Sequence, residues 1–237
     1  MCRFRIEYSK EGAIAYISHL DLSRMFERAA RRAELPVALT QGYHPHYKMS
    51  FGSVLPVGIE GDQEYLDLEL NRPYPAHKVQ EALEKEMPEG LRIHRVKEIP
   101  LVAPALMSLI NAASYAVRTR VEPAAAIHTS ADFNQRIERA LSRETWPVMR
   151  IRKKGNQEID ARSGLISINL EWRNGLVEGE IWLRISSNLA VRPIEILEAL
   201  EVFGGINWLY EDTYLRRTGL FVLREGNFLS PMEVITR

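Results

Sequence analysis

The chain has 237 residues, 46% hydrophobic and 26% charged, with 31 Lys+Arg against 31 Asp+Glu, so its formal net charge is zero. That apolar content builds real cores and excludes a disordered chain, while the lack of net charge excludes a globally basic nucleic-acid binder, so any anion site must be a local patch. One cysteine, Cys2, excludes an intrachain disulfide, a thiolate zinc site and an iron–sulfur cluster held by three or four cysteines.

Residues 3–8 alternate, with Phe4, Ile6 and Tyr8 on one side and Arg3, Arg5 and Glu7 on the other, which predicts a half-buried strand. Glu11 and Gly12 mark a turn, and residues 13–17 a short extended continuation. Ser18 is placed to cap a helix over 19–34, with Asp21 three positions on as a partial capping box. At about 100° per residue, Leu22, Met25, Phe26, Ala29 and Ala33 share one face, and Arg24, Arg28 and Arg31 lie nearly opposite. Such an arginine row is either a solvated face, paired with Glu27 and Glu34, or a rail for phosphates.

Pro36 ends the helix, and Val37, Ala38 and Leu39 read as a strand entering a loop over 41–52. Gly42, Pro45 and Gly52 shape this loop, yet it also carries Tyr43, His44, His46, Tyr47, Lys48 and Phe51. Flat π-faces beside cationic groups suit a nucleobase or a peptide; the alternative is that the tyrosines anchor the loop, Tyr43 foremost. Residues 49–54 leave the loop extended, 58–63 turn, and 64–70 alternate Tyr65, Asp67 and Glu69 against Leu66, Leu68 and Leu70. A helix over 76–86 turns Val79, Ala82 and Leu83 inward, and residues 91–96 form a strand. Strand, helix, two strands, helix, strand is the ferredoxin-like plan. Residues 100–104, bounded by prolines, read as a linker.

The second half repeats the order. A strand over 114–122 precedes a helix opened by Ser130 or Asp132 and carrying Phe133, Ile137, Ala140 and Leu141. A strand over 147–152 runs into a Lys153-Lys154-Gly155-Asn156 turn, and segments 165–172 and 177–185 flank Asn174-Gly175, a strong hairpin signal. Pro193 opens a helix over 192–203, Gly204-Gly205 stops it, and residues 218–223 close the sheet. The expectation is an α+β chain of two tandem ferredoxin-like (βαββαβ) domains with antiparallel sheets. They cover 1–102 and 103–237, the second with an extra strand excursion near 157–164.

The run Tyr16-Ile17-Ser18-His19-Leu20-Asp21-Leu22, the arginines after it, the 41–52 loop and Glu64-Tyr65-Leu66-Asp67-Leu68-Glu69-Leu70 resemble the radical-SAM-linked protein family, a domain of unknown function. Lys153-Lys154-Gly155, Glu158-Ile159-Asp160, Arg162 and Arg217-Thr218-Gly219-Leu220 are similar to that family's further signatures. The sequence departs from the pattern at Tyr47 and Ser163, where proline is common. The resemblance implies association with a radical SAM enzyme as partner. With one cysteine, this chain is not itself the radical enzyme, and no cofactor of its own is expected.

Three function classes follow. In the first, the chain binds RNA and presents it to that partner. Arg24, Arg28, Arg31, Lys48, Arg152, Lys153 and Lys154, with Arg150, would track phosphates, and Tyr43 and Tyr47 would stack bases. In the second, His19 with His44 or His46 acts as base and acid in metal-independent RNA cleavage. In the third, the chain is a protein–protein adaptor, with Trp208, Tyr210, Tyr214 and Phe221 as its aromatic surface. His44 and His46 can face one side of an extended segment, with Asp67 or Glu69 as a further oxygen ligand, but a two-histidine start is a weak zinc signal and no metal is expected. No apolar run approaches the ~18 residues of a membrane span. No apolar signal region precedes the first strand, so a cytoplasmic chain without membrane contact is expected.

Overall fold

The computed structural model of the chain describes residues 1–123, 126–152, 155–186 and 190–235. It is a mixed α+β structure with few helices and mostly antiparallel strand pairing. The chain divides into two compact units, 1–111 with 217–237 and 112–216. The sequence-based cut at 102/103 differs from this grouping, because the last segment of the chain makes its contacts with the first unit.

In the first unit, β1 (Cys2–Lys10) lies between β3 (Glu60–Leu70) and β4 (Leu91–Ile99), antiparallel to both. The short β2 (Met49–Phe51) pairs antiparallel with β3. Helices α1 (His19–Arg32) and α2 (Ala76–Glu84) cover one face of the strands. Phe4, Ile6 and Tyr8, with Leu66, Leu68 and Leu70, meet Leu22, Phe26 and Ala29 of α1 and Val79 and Leu83 of α2, as the two stripes require. Ser18 caps α1 by accepting from the Asp21 backbone N–H at 3.2 Å, and its hydroxyl donates to the Asp21 carboxylate at 2.6 Å. Residues expected to continue β1 instead form a 3-10 turn, Gly12–Tyr16, whose positive φ at Gly12 turns the chain toward α1. The expected turn over 58–63 already belongs largely to β3.

The expectation of a half-buried first strand is corrected. Arg3 and Arg5, assigned to the solvent side, are buried. Arg5 donates to both Asp67 oxygens, at 2.8 and 3.0 Å, and to the carbonyls of Pro231 and Pro104; Arg3 donates to Asp67 at 2.7 Å and to the Ala103 carbonyl. The second face of these strands is therefore covered by the segment after β4 and by the C-terminal tail. A charged residue in an alternating strand reads as exposed only when no other segment supplies it with partners.

The second unit holds β5 (Ala112–Val121), α4 (Ser130–Leu141), β8 (Leu165–Arg173), β9 (Leu176–Arg184) and α5 (Pro193–Gly204), after the one-turn α3 (Leu106–Leu109) of the first. β9 pairs antiparallel with β5 and with β8. The excursion is a separate antiparallel pair, β6 (Pro147–Arg150) with β7 (Gln157–Asp160). Asn174 and Gly175 both adopt positive φ, 51° and 82°, the turn expected between β8 and β9. Gly205 ends α5 in the left-handed conformation at φ 73°. The strand expected over 218–223 is the end of a 17-residue strand, β10 (Trp208–Arg224), whose residues to Arg216 belong to the second unit and from Arg217 to the first; β11 (Asn227–Leu229) folds back on it. β10 lies next to β3 in the first unit and next to β5 in the second.

Candidate functional site

The 41–52 loop of the first unit is anchored at its base and open at its tip. Thr40 receives the His46 backbone N–H on its hydroxyl at 3.0 Å and donates its own backbone N–H to the His46 carbonyl at 2.8 Å, closing the loop. Residues 41–46 are exposed, and the Tyr43 ring is fully so, at 101% relative exposure. Tyr43, expected as the loop's anchor, is thus its most open residue, and the half-buried Tyr47 packs against the core instead. The register explains the exchange, because Tyr47 bridges Leu39 next to β2 whereas Tyr43 falls in the turn.

Lys48 is half-buried and ion-paired to Glu69 at 3.0 Å. Asp67 is taken by Arg3 and Arg5, so neither acid of β3 is placed as a ligand for His44 or His46. Among the described residues no group of three His, Cys, Asp or Glu could hold a metal. Arg24, Arg28 and Arg31 lie exposed on the outer face of α1; Arg24 is loosely paired with Asp21 at 3.6 Å, and among the described residues Arg28 and Arg31 make no ion pair. Arg152 is exposed, and Lys153 and Lys154 lie outside the described residues. Arg150 cannot track a phosphate: it is buried and donates to both Glu195 oxygens at 2.6 Å and to the Ala190 carbonyl at 2.7 Å.

His19 occupies a different place. Its ring stands edge-on to Phe51, with centroids 5.1 Å apart, at the wall of a cavity of about 10 Å³. Neither His44 nor His46 lines that cavity, so the structure does not bring His19 to them as an acid–base pair. What it does bring to His19 is a buried polar cluster: Tyr8 and Lys10 from the end of β1, Glu64 from β3, and the Ser53–Leu55 segment. Arg217 of β10 closes it, donating to the two Glu64 oxygens at 2.7 and 2.5 Å and to the Ser53 carbonyl at 2.7 Å. Lys10, 1% exposed, donates to the Ile17 carbonyl at 3.2 Å.

Burial lowers the Lys10 pKa; Glu64 opposes that shift and the Arg217 guanidinium adds to it. Burial also holds the Tyr8 phenol well above its ordinary range, with Glu64 adding and Arg217 opposing, so it stays neutral. Sequence reasoning named His19 and missed its neighbours. The signal was present: Lys10 continues the Phe4-Ile6-Tyr8 stripe, and Glu64 continues the Leu66-Leu68-Leu70 stripe, so each apolar face ends in a charge. Tyr8 is paired in register with Glu64.

The family described as "Uncharacterized protein conserved in bacteria (DUF2344)" matches residues 3–193. No curated protein matches the sequence. Among solved structures, the chain is similar to a chain of a Cbf5-Nop10-Gar1 complex, at 11% identity and a TM-score of 0.45, covering 91% of this chain and 48% of that one. The match thus spans about half the length of that relative. An unknown protein from Galdieria sulphuraria aligns at 11% identity and a TM-score of 0.25, over 92% of this chain and 98% of that one. A putative glycine cleavage system transcriptional repressor aligns at 9% identity and a TM-score of 0.24, again over 92% and 98%.

Proposed function

Since the chain belongs to a family of uncharacterized proteins conserved in bacteria, we propose its function from its own surface: the first unit binds single-stranded RNA, and the chain presents that RNA to a partner radical SAM enzyme in the cytoplasm. The observation that carries this reading is the Tyr43 ring, fully exposed at the tip of a closed loop between the exposed His44 and the glycine turn. A free aromatic face at a loop tip is a stacking platform for a base. The exposed Arg24, Arg28 and Arg31 of the same unit supply cations for the backbone. Lys48 and Tyr47 then serve as the loop's foundation.

The radical SAM partner rests on the resemblance carried by Tyr16-Ile17-Ser18-His19-Leu20-Asp21-Leu22 and the loop after it. The fold reading is consistent with an RNA module: β4-β1-β3-β2 in the first unit and β10-β5-β9-β8 in the second both support a ferredoxin-like plan. The RNA surface, however, is the loop and helix rather than the second face of the first unit's strands, because the tail covers that face.

The test is a salt titration of binding to a fluorescent single-stranded RNA. Tyr43→Ala should weaken binding by ~1–3 kcal/mol, the worth of one stacked base. Arg28→Ala should weaken it most at low salt and flatten the salt dependence. Absence of binding at low salt, or an unchanged affinity for Tyr43→Ala, defeats the RNA reading. Capture of the chain from cells without a radical SAM protein defeats the partner.

A further inference from the structure

β4 ends the strand order in the first unit and β8 ends it in the second, and the two edges are unlike. β4 is defended: Arg92, Arg95 and Lys97 are exposed along it, and Gln80 of α2 donates to the His94 carbonyl at 3.4 Å. Exposed cations and a covering side chain keep other strands away. β8 has neither lysine nor proline, and it pairs only with β9. The two-residue turn at Asn174-Gly175 sets the direction of its backbone groups. Arg173 and Leu176 close the hairpin, so Arg173, Glu171 and Asn169 exchange their hydrogen bonds with β9, and Trp172, Leu170 and Ile168 turn theirs to the free edge. The Trp172 carbonyl accords with this, because it accepts from the Ser130 hydroxyl of α4 at 3.1 Å. Among the described residues nothing bonds the outward N–H and C=O groups of Ile168 and Leu170. Beside them runs a groove of about 360 Å³, lined by Ser130 and Asn134 of α4 and by Asn169–Arg173.

A strand added at this edge must put polar side chains on the open face of the sheet and apolar ones on the α4 side. β8 itself has that alternation: Ser167, Asn169, Glu171 and Arg173 are exposed, Ile168 and Trp172 are half-buried, and Leu170 is buried. Glu171 and Arg173 pair with each other at 2.7 Å, so the edge carries no net charge to repel a like strand. Asn169 is the middle residue of β8. A two-fold axis there sets Ser167 opposite Glu171, Ile168 opposite Leu170 and Asn169 opposite itself, with no like charges facing. A slip that moved the axis to Glu171 would set two carboxylates together.

We propose that β8 of one chain pairs antiparallel with β8 of a second copy about a two-fold axis at Asn169, which joins the second units of two chains through one continuous sheet. The four central hydrogen bonds come from the N–H and C=O groups of Ile168 and Leu170, the groups that a single chain leaves open. Across the axis the Ser167 hydroxyl donates to Glu171, and the two Asn169 amides donate to each other. The contact is isologous and closes at two chains, so each edge covers the other. It does not depend on RNA binding by the first unit.

The experiment is sedimentation equilibrium of the full chain over a wide range of concentration, which should give twice the mass of one chain, falling to one on dilution. Ile168→Pro removes an outward N–H and leaves the β8–β9 bonds in place, so it should give a single-chain mass with unchanged far-UV circular dichroism. Asn169→Lys changes an exposed position and sets two ammonium groups opposite each other. It should weaken the dimer by ~3-fold or more, and less at high salt, even where Ile168→Pro fails to fold. Cys2 is buried, so Asn169→Cys supplies the accessible thiol. Residues directly opposite in a pair without mutual hydrogen bonds lie within disulfide reach, and mild oxidation should link two chains through it. A single-chain mass at every concentration leaves the edge to another polypeptide and overturns the proposal. So does a dimer that survives both Ile168→Pro and Asn169→Lys unchanged, or one that Asn169→Cys does not cross-link.

Discussion

Arg5 shows how a single residue can be misread when it is judged by its neighbours in sequence. Its alternation with Phe4 and Ile6 points it away from the apolar stripe, and that is correct; the side it points to is simply not water. Asp67 and the carbonyls of Pro231 and Pro104 surround it there. Removing one partner leaves an unpaired buried charge, so Asp67→Ala should cost ~3–5 kcal/mol in urea unfolding, whereas breaking the exposed Lys78–Glu81 pair should leave the urea midpoint essentially where it is. Lys10 gives a pH signature. Its folded pKa is depressed below the ordinary 10.5, so the native state gives up the proton first as pH rises. The unfolded chain then holds more protons, and the Lys10 contribution to stability rises with pH from the depressed value up to 10.5. Denaturation midpoints of the native chain minus those of Lys10→Met should climb across that alkaline window; a flat difference contradicts it.

At the scale of elements, the helices and the hairpin were legible because their signals are local. Ser18, the Leu22-Phe26-Ala29 face, Pro193 and Asn174-Gly175 each act through geometry within a turn or two. The 3-10 turn of Gly12–Tyr16 and the length of β10 were not, since both depend on what the chain meets later. Gly179 illustrates the same dependence. At φ 158° and against the Asn169 carbonyl of β8, it has no room for a Cβ. Gly179→Ala should destabilise the second unit by more than ~1 kcal/mol, seen as early loss of Trp172 and Trp182 fluorescence signals in denaturant. The 41–52 loop was recognisable as a loop with aromatic content, but the exchange of roles between Tyr43 and Tyr47 was decided by the bridge from Leu39 to Tyr47.

On the scale of the whole molecule, the first unit is discontinuous in sequence and the second is not. A fragment of residues 112–216 retains β5 to β9 and β10 as far as Arg216, and should fold alone with a cooperative denaturant transition. Residues 1–111 alone lack Arg217, which neutralises Glu64, and the Pro231 and Val234 carbonyls that receive Arg5. That fragment should remain unfolded, and addition of a 217–237 peptide should restore circular dichroism only at high concentration. No helix among the described residues is long and apolar enough to cross a membrane.

The amino-acid sequence by itself determined the α+β class, the order of strands and helices, the capped first helix with its arginine face, and the loop that carries Tyr43, His44 and His46. These depend on periodicity, capping and turn stereochemistry, which act over a few residues. Only the tertiary structure decided that Arg3 and Arg5 are buried, that Arg150 is held by Glu195, and that Lys10, His19 and Glu64 line one cavity with Glu64 held by Arg217. Those groups are up to 207 positions apart, from Lys10 to Arg217. A charge's partner at such a separation is set by strand pairing and by which segment covers a face, and neither leaves a local mark on the residue that depends on it.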